Sequence, residues 1–413
     1  MKAIKPARVA ELDAADPLAH KRAAFELPAG VVYLDGNSLG ALPKGVAARL
    51  HKATIEEWGQ GLIRSWNDAH WYPAPQRVGA QIARLIGAKA HEVIACDSTS
   101  VNLYKVLWAA CQGSGNLIIT EADNFPTDVY LCQSIAANLG KTLRAVPGAE
   151  IAKAVRTAGA DLACLMLTQV HYKTGQLHDM AALTQLAQAH GGRVVWDLAH
   201  SAGIMPLQVH ALNVDYAVGC TYKYLNGGPG APAYVYVHER HILDLQQPLY
   251  GWHGHAAPFA FSEHYQAHAG IEKMLVGTAS QLSLLALEEA LKVYDDVDLT
   301  QVRNKSLSLT QLFIDLLDQA LPEFTLITPR EPALRGSQVA LSYPDPKQGY
   351  AIMQALIEHG VIGDFRAPNI LRFGFAPLYL SHQDVVQAVA IFTTIMREEI
   401  YRAPRFQAQK AVT

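Results

Sequence analysis

Two polar clusters stand out in the 413-residue chain, Asp197-Leu-Ala-His200-Ser201 and Tyr222-Lys223-Tyr-Leu-Asn-Gly-Gly-Pro-Gly230. Each follows a short apolar run, Arg193-Val-Val-Trp and Tyr216-Ala-Val-Gly-Cys220, that reads as a strand. Side chains just beyond the carboxyl ends of strands line the ligand crevice of an open α/β sheet, so Asp197, His200, Tyr222 and Lys223 are expected to converge. A carboxylate and a lysine so placed suit pyridoxal phosphate. The lysine amine forms a Schiff base with the aldehyde, and the aspartate keeps the pyridine nitrogen protonated so that the ring withdraws electrons. A purely structural Asp–Lys pair reads these residues equally well, because aspartate at a strand end is also an ordinary helix cap.

A phosphate needs a seat of its own. Asp97-Ser98-Thr99-Ser100 precedes the helical run Val101–Cys111, where hydroxyls and unpaired N–H groups face an anion at the positive end of a helix; the plainer alternative is an N-cap. Asn124-Phe125-Pro126-Thr127-Asp128 lies just past another strand, and the Phe125 ring either covers a planar cofactor or belongs to the core. Thr168, at the end of Leu162–Val170, is placed to hydrogen-bond a cofactor oxygen, or is a typical strand threonine. Near the far end, Arg372 sits in an apolar strand, Ile370-Leu-Arg-Phe-Gly374. Buried guanidinium requires an anion, which is either a substrate carboxylate held by the planar fork or an internal ion-pair partner.

The elements that must position these residues follow from periodicity. Between about residues 85 and 240, runs at 116–120, 142–146, 162–170, 193–197, 216–220 and 233–237 alternate with helical patterns such as Asp179–His190. That rhythm predicts α/β architecture, a large domain with a mostly parallel, seven-stranded-type sheet flanked by helices over 50–280. Beyond residue 280, long helices with isolated strands at Phe324–Thr328 and Gln338–Tyr343 predict a smaller α+β domain, formed by 281–413 with 1–49 folded back on it.

Composition narrows the partners. Half the residues are hydrophobic and 17% are charged, which excludes disorder as the main state. Lys+Arg 34 against Asp+Glu 37 leaves −3, with no basic run, so neither nucleic acid nor an anionic membrane is an expected partner. No apolar run approaches the ~18 residues of a membrane span, and the five cysteines form no Cys-x-x-Cys pair, which suggests a reduced, cytoplasmic setting. Gly59/Gly61 and Gly113/Gly115 lack a third glycine and no Gly-Lys-Ser/Thr occurs, so dinucleotide and P-loop readings are weak. His253-Gly-His255 has no flanking ligand set, and no metal is expected.

In sequence order, Tyr33-Leu-Asp-Gly-Asn-Ser-Leu-Gly40, Phe125-Pro-Thr-Asp128, Tyr172-Lys-Thr-Gly-Gln176, Asp197-Leu-Ala-His200, the Tyr222–Gly230 stretch, Gly251-Trp252 and Leu371-Arg-Phe-Gly-Phe-Ala-Pro-Leu-Tyr379 resemble the kynureninases, pyridoxal phosphate enzymes of fold type I. The resemblance spans nearly the whole chain. It implies a hydrolase of the kynurenine pathway, in tryptophan catabolism and NAD biosynthesis, that cleaves L-kynurenine, and in some members 3-hydroxykynurenine, to anthranilate and L-alanine. By position it implies Lys223 as Schiff-base lysine and Cα proton base, Asp197 as pyridinium partner, and Thr99, Ser100 and Tyr222 as phosphate contacts. Phe125 would stack on the ring within a cofactor-binding stretch Phe125, Pro126, Thr127, Asp128, with Thr168 and His200 in support. Arg372 would take the substrate carboxylate, with Asn37 and Ser38 nearby. Trp252 and Thr278 would come from the neighbouring subunit of a homodimer, and Trp66, Trp71 or Trp252 would line the aryl pocket. Tyr222 is the expected proton donor to Cβ. Two other readings compete, a cysteine desulfurase or selenocysteine lyase and a cofactor-binding regulator without turnover. The first usually has His before the lysine and a late catalytic cysteine, whereas here Tyr222 precedes Lys223 and no cysteine follows Cys220. The second usually carries a DNA-binding module, and no basic helix-turn-helix extension is present.

Overall fold

A computed structural model describes residues 6–408. Seven strands build the large sheet: β1 Val93–Ala95, β2 Leu117–Glu121, β3 Thr142–Val146, β4 Leu162–Thr168, β5 Arg193–Asp197, β6 Tyr216–Gly219 and β7 Tyr234–Val237, in the spatial order β1-β7-β6-β5-β4-β2-β3. The pairs from β3 through β6 are parallel, whereas β7 runs antiparallel to both β6 and β1. The expected runs thus become strands with ends shifted by a residue or two, and β1 is an additional strand.

Period-2 alternation explains how this sheet divides two cores. Leu165, Leu167, Val194, Trp196 and Ala217 face one layer, while Cys164, Met166, Val195 and Val218 face the other. All seven residues of β4 are buried, as expected for a parallel strand covered on both faces. The helices between the strands supply the cover, among them α1 Ala74–Ile86, α2 Thr99–Ala110, α3 Pro126–Leu139 and α4 Met180–Ala189. Pro126 stands at the first position of α3, where its missing N–H costs no bond.

The C-terminal part contains α5 Gln281–Ala290, α6 Leu299–Ala320, α7 Gly349–Glu358 and α8 His382–Arg397 around a second sheet. That sheet is antiparallel, with β8 Thr325–Leu326, β9 Gln338–Ser342, β10 Asp364–Arg366 and β11 Ile370–Gly374 in the order β8-β9-β11-β10. The N-terminal segment joins it: Val32–Tyr33 pairs in parallel with Val361–Ile362, and Asp35 bridges to Gly374. Phe373 and Leu371 pack into the same core as Leu165 and Trp196, so the two parts share one continuous interior.

Candidate active site

A cavity of about 220 Å³ opens at the carboxyl ends of β4, β5 and β6. Three neighbouring strands deliver its polar groups: Thr168 closes β4, Asp197 closes β5, and Cys220, Tyr222 and Lys223 follow β6. From the opposite wall come Thr99 and Ser100 in the first turn of α2, Phe125, Thr127 and Asp128 at the start of α3, and Tyr172. A larger cavity, about 380 Å³, lies at the amino ends of β5 and β6 against Arg193, Tyr216 and His241. Its cationic groups Arg193 and His241 are already engaged by Asp215, so the smaller cavity is the stronger candidate.

Lys223 Nζ stands 2.9 Å from His200 Nε2. Burial, reinforced by the positive charge of Lys223, pushes the His200 imidazole well below its ordinary range, so His200 is neutral. Its Nδ1 is buried with no partner among the described residues. Asp197 accepts the Ala199 N–H at 2.7 Å. Burial raises its carboxyl, while Lys223 and the Ala199 N–H oppose that rise. Asp128 is the more strongly raised, by burial and then by the negative charge of Asp197. Its Oδ2 accepts the Thr168 hydroxyl at 3.0 Å. The neighbouring Cys220, together with burial, pushes the Tyr222 phenol upward, so this hydroxyl keeps its proton at neutral pH.

Phe125 is at the cavity, 40% exposed, with its ring edge-on to Tyr172 at 5.2 Å between centroids. Thr168 is at the cavity too, and its hydroxyl is turned to Asn124 Oδ1 at 2.6 Å as well as to Asp128. Trp252 and Thr278 are not brought to it: Trp252 stacks on His253 at 4.8 Å, and Thr278 borders a separate small cavity beside Cys96 and Asp97. His253 and His255 are occupied by the carbonyls of Gly277 and His264. Trp71 is buried with its indole N–H on Glu57, and Trp66 lies edge-on to it.

Arg372 does meet an anion, and in this structure that anion is Asp364. Its Nε lies 2.8 Å from Asp364 Oδ1 and its Nη2 lies against Oδ2, while Nη1 donates to the Tyr172 carbonyl at 2.6 Å. Ser38 Oγ donates to Asp364 at 2.8 Å and accepts from Arg372 at 2.9 Å. Asn37 is fully buried beside Gln338. Asp364 and Arg366 are absent from the residues singled out in the sequence, and Tyr172, which lines the cavity, opens the motif Tyr172-Lys-Thr-Gly-Gln176 but has no role assigned to it there. The available signal was symmetry: Asp364 and Arg372 lie directly opposite each other across the β10–β11 hairpin, equidistant from Pro368.

The architecture has close counterparts among solved structures. A variant of the lyase C-DES with glycine covalently linked to its PLP cofactor matches with TM-score 0.80 at 20% identity, covering 90% of this chain and 98% of that one. The cysteine desulfurase CsdA of Escherichia coli matches with TM-score 0.78 at 21% identity, covering 92% and 98%. Likeness at that identity establishes the fold alone, that of fold type I. Sequence relatives are far nearer. The Kynureninase C-terminal domain model matches residues 302–392. The kynureninase of Pseudomonas fluorescens is 48% identical over 412 residues, covering 97% of this chain and 98% of its own. That of Deinococcus radiodurans is 49% identical over 405 residues, covering 96% and 97%. Near-half identity along essentially the whole length of both proteins, on a fold with this lysine-bearing cavity, means that the chain belongs to the kynureninase family.

Proposed function

We propose that this chain hydrolyses L-kynurenine to anthranilate and L-alanine with pyridoxal phosphate. The observation that carries this reading is the placement of Lys223, neutral His200 and buried Asp197 around one cavity whose far wall is the N-terminus of α2. The residues fit the cofactor. Ser98 Oγ caps α2 by accepting the Val101 N–H, which leaves the N–H groups and hydroxyls of Thr99 and Ser100 for a phosphate. Asp197, at the end of β5, would hold the pyridine nitrogen, Phe125 and His200 would flank the ring, and Lys223 would carry the aldehyde carbon. When bound, the group supplies an electron sink conjugated to the substrate Cα.

The side chains then move protons. Lys223 Nζ, freed when the substrate's amino group takes over the aldehyde carbon, takes the proton from Cα, and His200, which stays neutral, holds that amine in place through its 2.9 Å contact. Water adds to the γ-carbonyl carbon and the Cβ–Cγ bond breaks. Anthranilate leaves with the water oxygen in its new carboxylate, the Tyr222 hydroxyl delivers a proton to Cβ and is restored by the proton the water gave up, and Lys223 returns its proton to Cα to complete alanine. Arg372 is the group assigned to the α-carboxylate, with Ser38 and Asn37 shaping the approach. Two further assignments belong to the same proposal. The chain works as a homodimer in which Trp252 and Thr278 reach the partner's cavity, and its functional division is 50–280 against 1–49 with 281–413. No helix among the described residues is long and apolar enough to cross a membrane, and all five cysteines are buried thiols, which supports a cytoplasmic setting.

The test is release of anthranilate and alanine from L-kynurenine by purified protein with added pyridoxal phosphate. Equal amounts of the two products, abolished by Lys223→Ala, are expected. Cofactor binding without any cleavage of kynurenine would sink the substrate assignment.

A further inference from the structure

Asp364 stands between two guanidinium groups. Arg372 grips it side-on, Nε to Oδ1 and Nη2 to Oδ2, and is 1% exposed with every donor group engaged. Arg366 reaches the same carboxylate from the other side with Nη2 alone, 2.6 Å from Oδ2. Residues 364 and 366 lie on one face of β10, and Arg372 lies opposite Asp364 on β11, so the strands themselves bring the three side chains together. The side chain of Arg366 is 40% exposed, yet its Nε is buried and has no acceptor among the described residues.

That idle Nε is informative because Nε and Nη2 form the same edge of the guanidinium that Arg372 uses. Arg366 therefore presents one prong of a side-on fork to Asp364 and holds the second in reserve. The charges leave room for one more anion. Two arginines face Asp364, and the remaining acid nearby, the partly buried Asp35, has a carboxyl pushed up to about 7 by burial and then by Asp364. An incoming carboxylate that paired with Arg372 would leave the buried Asp364 with only the single Nη2 contact of Arg366, unless that contact grew into a full fork.

We propose that Asp364 is a counter-ion handed from Arg372 to Arg366 when substrate binds: the α-carboxylate takes the place of Asp364 on Arg372, and Arg366 closes its full fork on Asp364. Arg366 is thus a positioning residue that acts through Asp364 without touching the substrate. The inference rests on the kynurenine reading above and on Arg372 as its carboxylate site.

The test is a double-mutant cycle on KM and kcat for L-kynurenine. Arg366→Met is expected to raise KM roughly tenfold with kcat changed by less than about twofold, because only binding is impaired. In an Asp364→Asn background there is no carboxylate to hand over, so adding Arg366→Met is expected to change KM by less than about twofold. Arg366→Lys, which keeps the charge but lacks the fork, is expected to fall between. An unchanged KM in Arg366→Met overturns the proposal, as does an equal rise in both backgrounds, which would mean direct contact with substrate. Thermal melting of each holoenzyme variant separates these effects from misfolding. L-Alanine binding, read from the absorbance of the bound cofactor, gives the same cycle without turnover. Wild-type hydrolysis of kynurenine tests the underlying function separately, and if it is absent the alanine cycle still decides for or against the handover.

Discussion

Asp35 is held in the fold against its own charge. Burial and the neighbouring Asp364 raise its carboxyl from 3.8 to about 7, with Ser38, Arg372 and Arg366 only partly offsetting them. A carboxyl raised on folding contributes stability that is fully present below the unfolded value and is lost as pH climbs through the folded one. The loss here falls between about pH 4 and pH 7 and amounts to at most about 4 kcal/mol. Asp35→Asn is therefore expected to be more resistant to urea than the wild type at pH 8, with the difference shrinking towards pH 4. Equal differences at both pH values would show that the charge of Asp35 is not what destabilises the chain. Asp35 also marks what single residues reveal in a sequence. Lys223 and Asp197 were legible because each directly follows an apolar strand, a local pattern. The pairing of Arg372 with Asp364 was not, since it depends on strand register, and an arginine in an apolar strand announces only that some anion is near.

At the scale of elements, the segment Asn37-Ser38-Leu39-Gly40 explains how the lysine loop is held. The Gly40 N–H donates to the Tyr222 carbonyl at 2.7 Å. A Cβ on Gly40 would press into the Lys223 carbonyl oxygen and stand 2.7 Å from the Asn226 Cα, both backbone atoms that cannot swing aside. The loop itself is tightly specified: the Asn226 N–H returns to the Lys223 carbonyl at 2.9 Å, and Asn226 and Gly228 adopt positive φ of 58° and 87°. Gly40→Ala is expected to displace Lys223 and to lower kcat roughly 100-fold, the scale of a 1 Å misplacement of a reacting group. Full activity in that variant would mean that the loop tolerates the shift. The strands β2 to β7 were readable from short apolar runs separated by helical patterns. The strand β1 was not, because three residues before a polar turn carry too little period, and only its ladder with β7 makes it a strand.

At the scale of the molecule, the chain leaves large apolar side chains in water. Ile63, Phe259 and Phe261 are 77%, 65% and 84% exposed, and Trp58, Leu62 and Tyr250 are also open. Trp252 and Thr278 do not line the Lys223 cavity of their own chain, and under the homodimer proposed above they would complete the cavity of a second copy, with exposed apolar groups of this kind suited to the contact. Sequence composition gives no hint of this, since half of any such chain is hydrophobic and only the fold decides which residues remain outside. The consequence can be measured by co-expressing two inactive variants, Lys223→Ala and Trp252→Ala. In a mixed dimer with shared sites, one cavity carries both lesions and the other carries neither. Random pairing makes half the dimers mixed, each with one intact site of two, so activity returns to about a quarter of wild type. If each cavity is completed within its own chain, no intact site can arise, and the mixture will show only the average of the two parents.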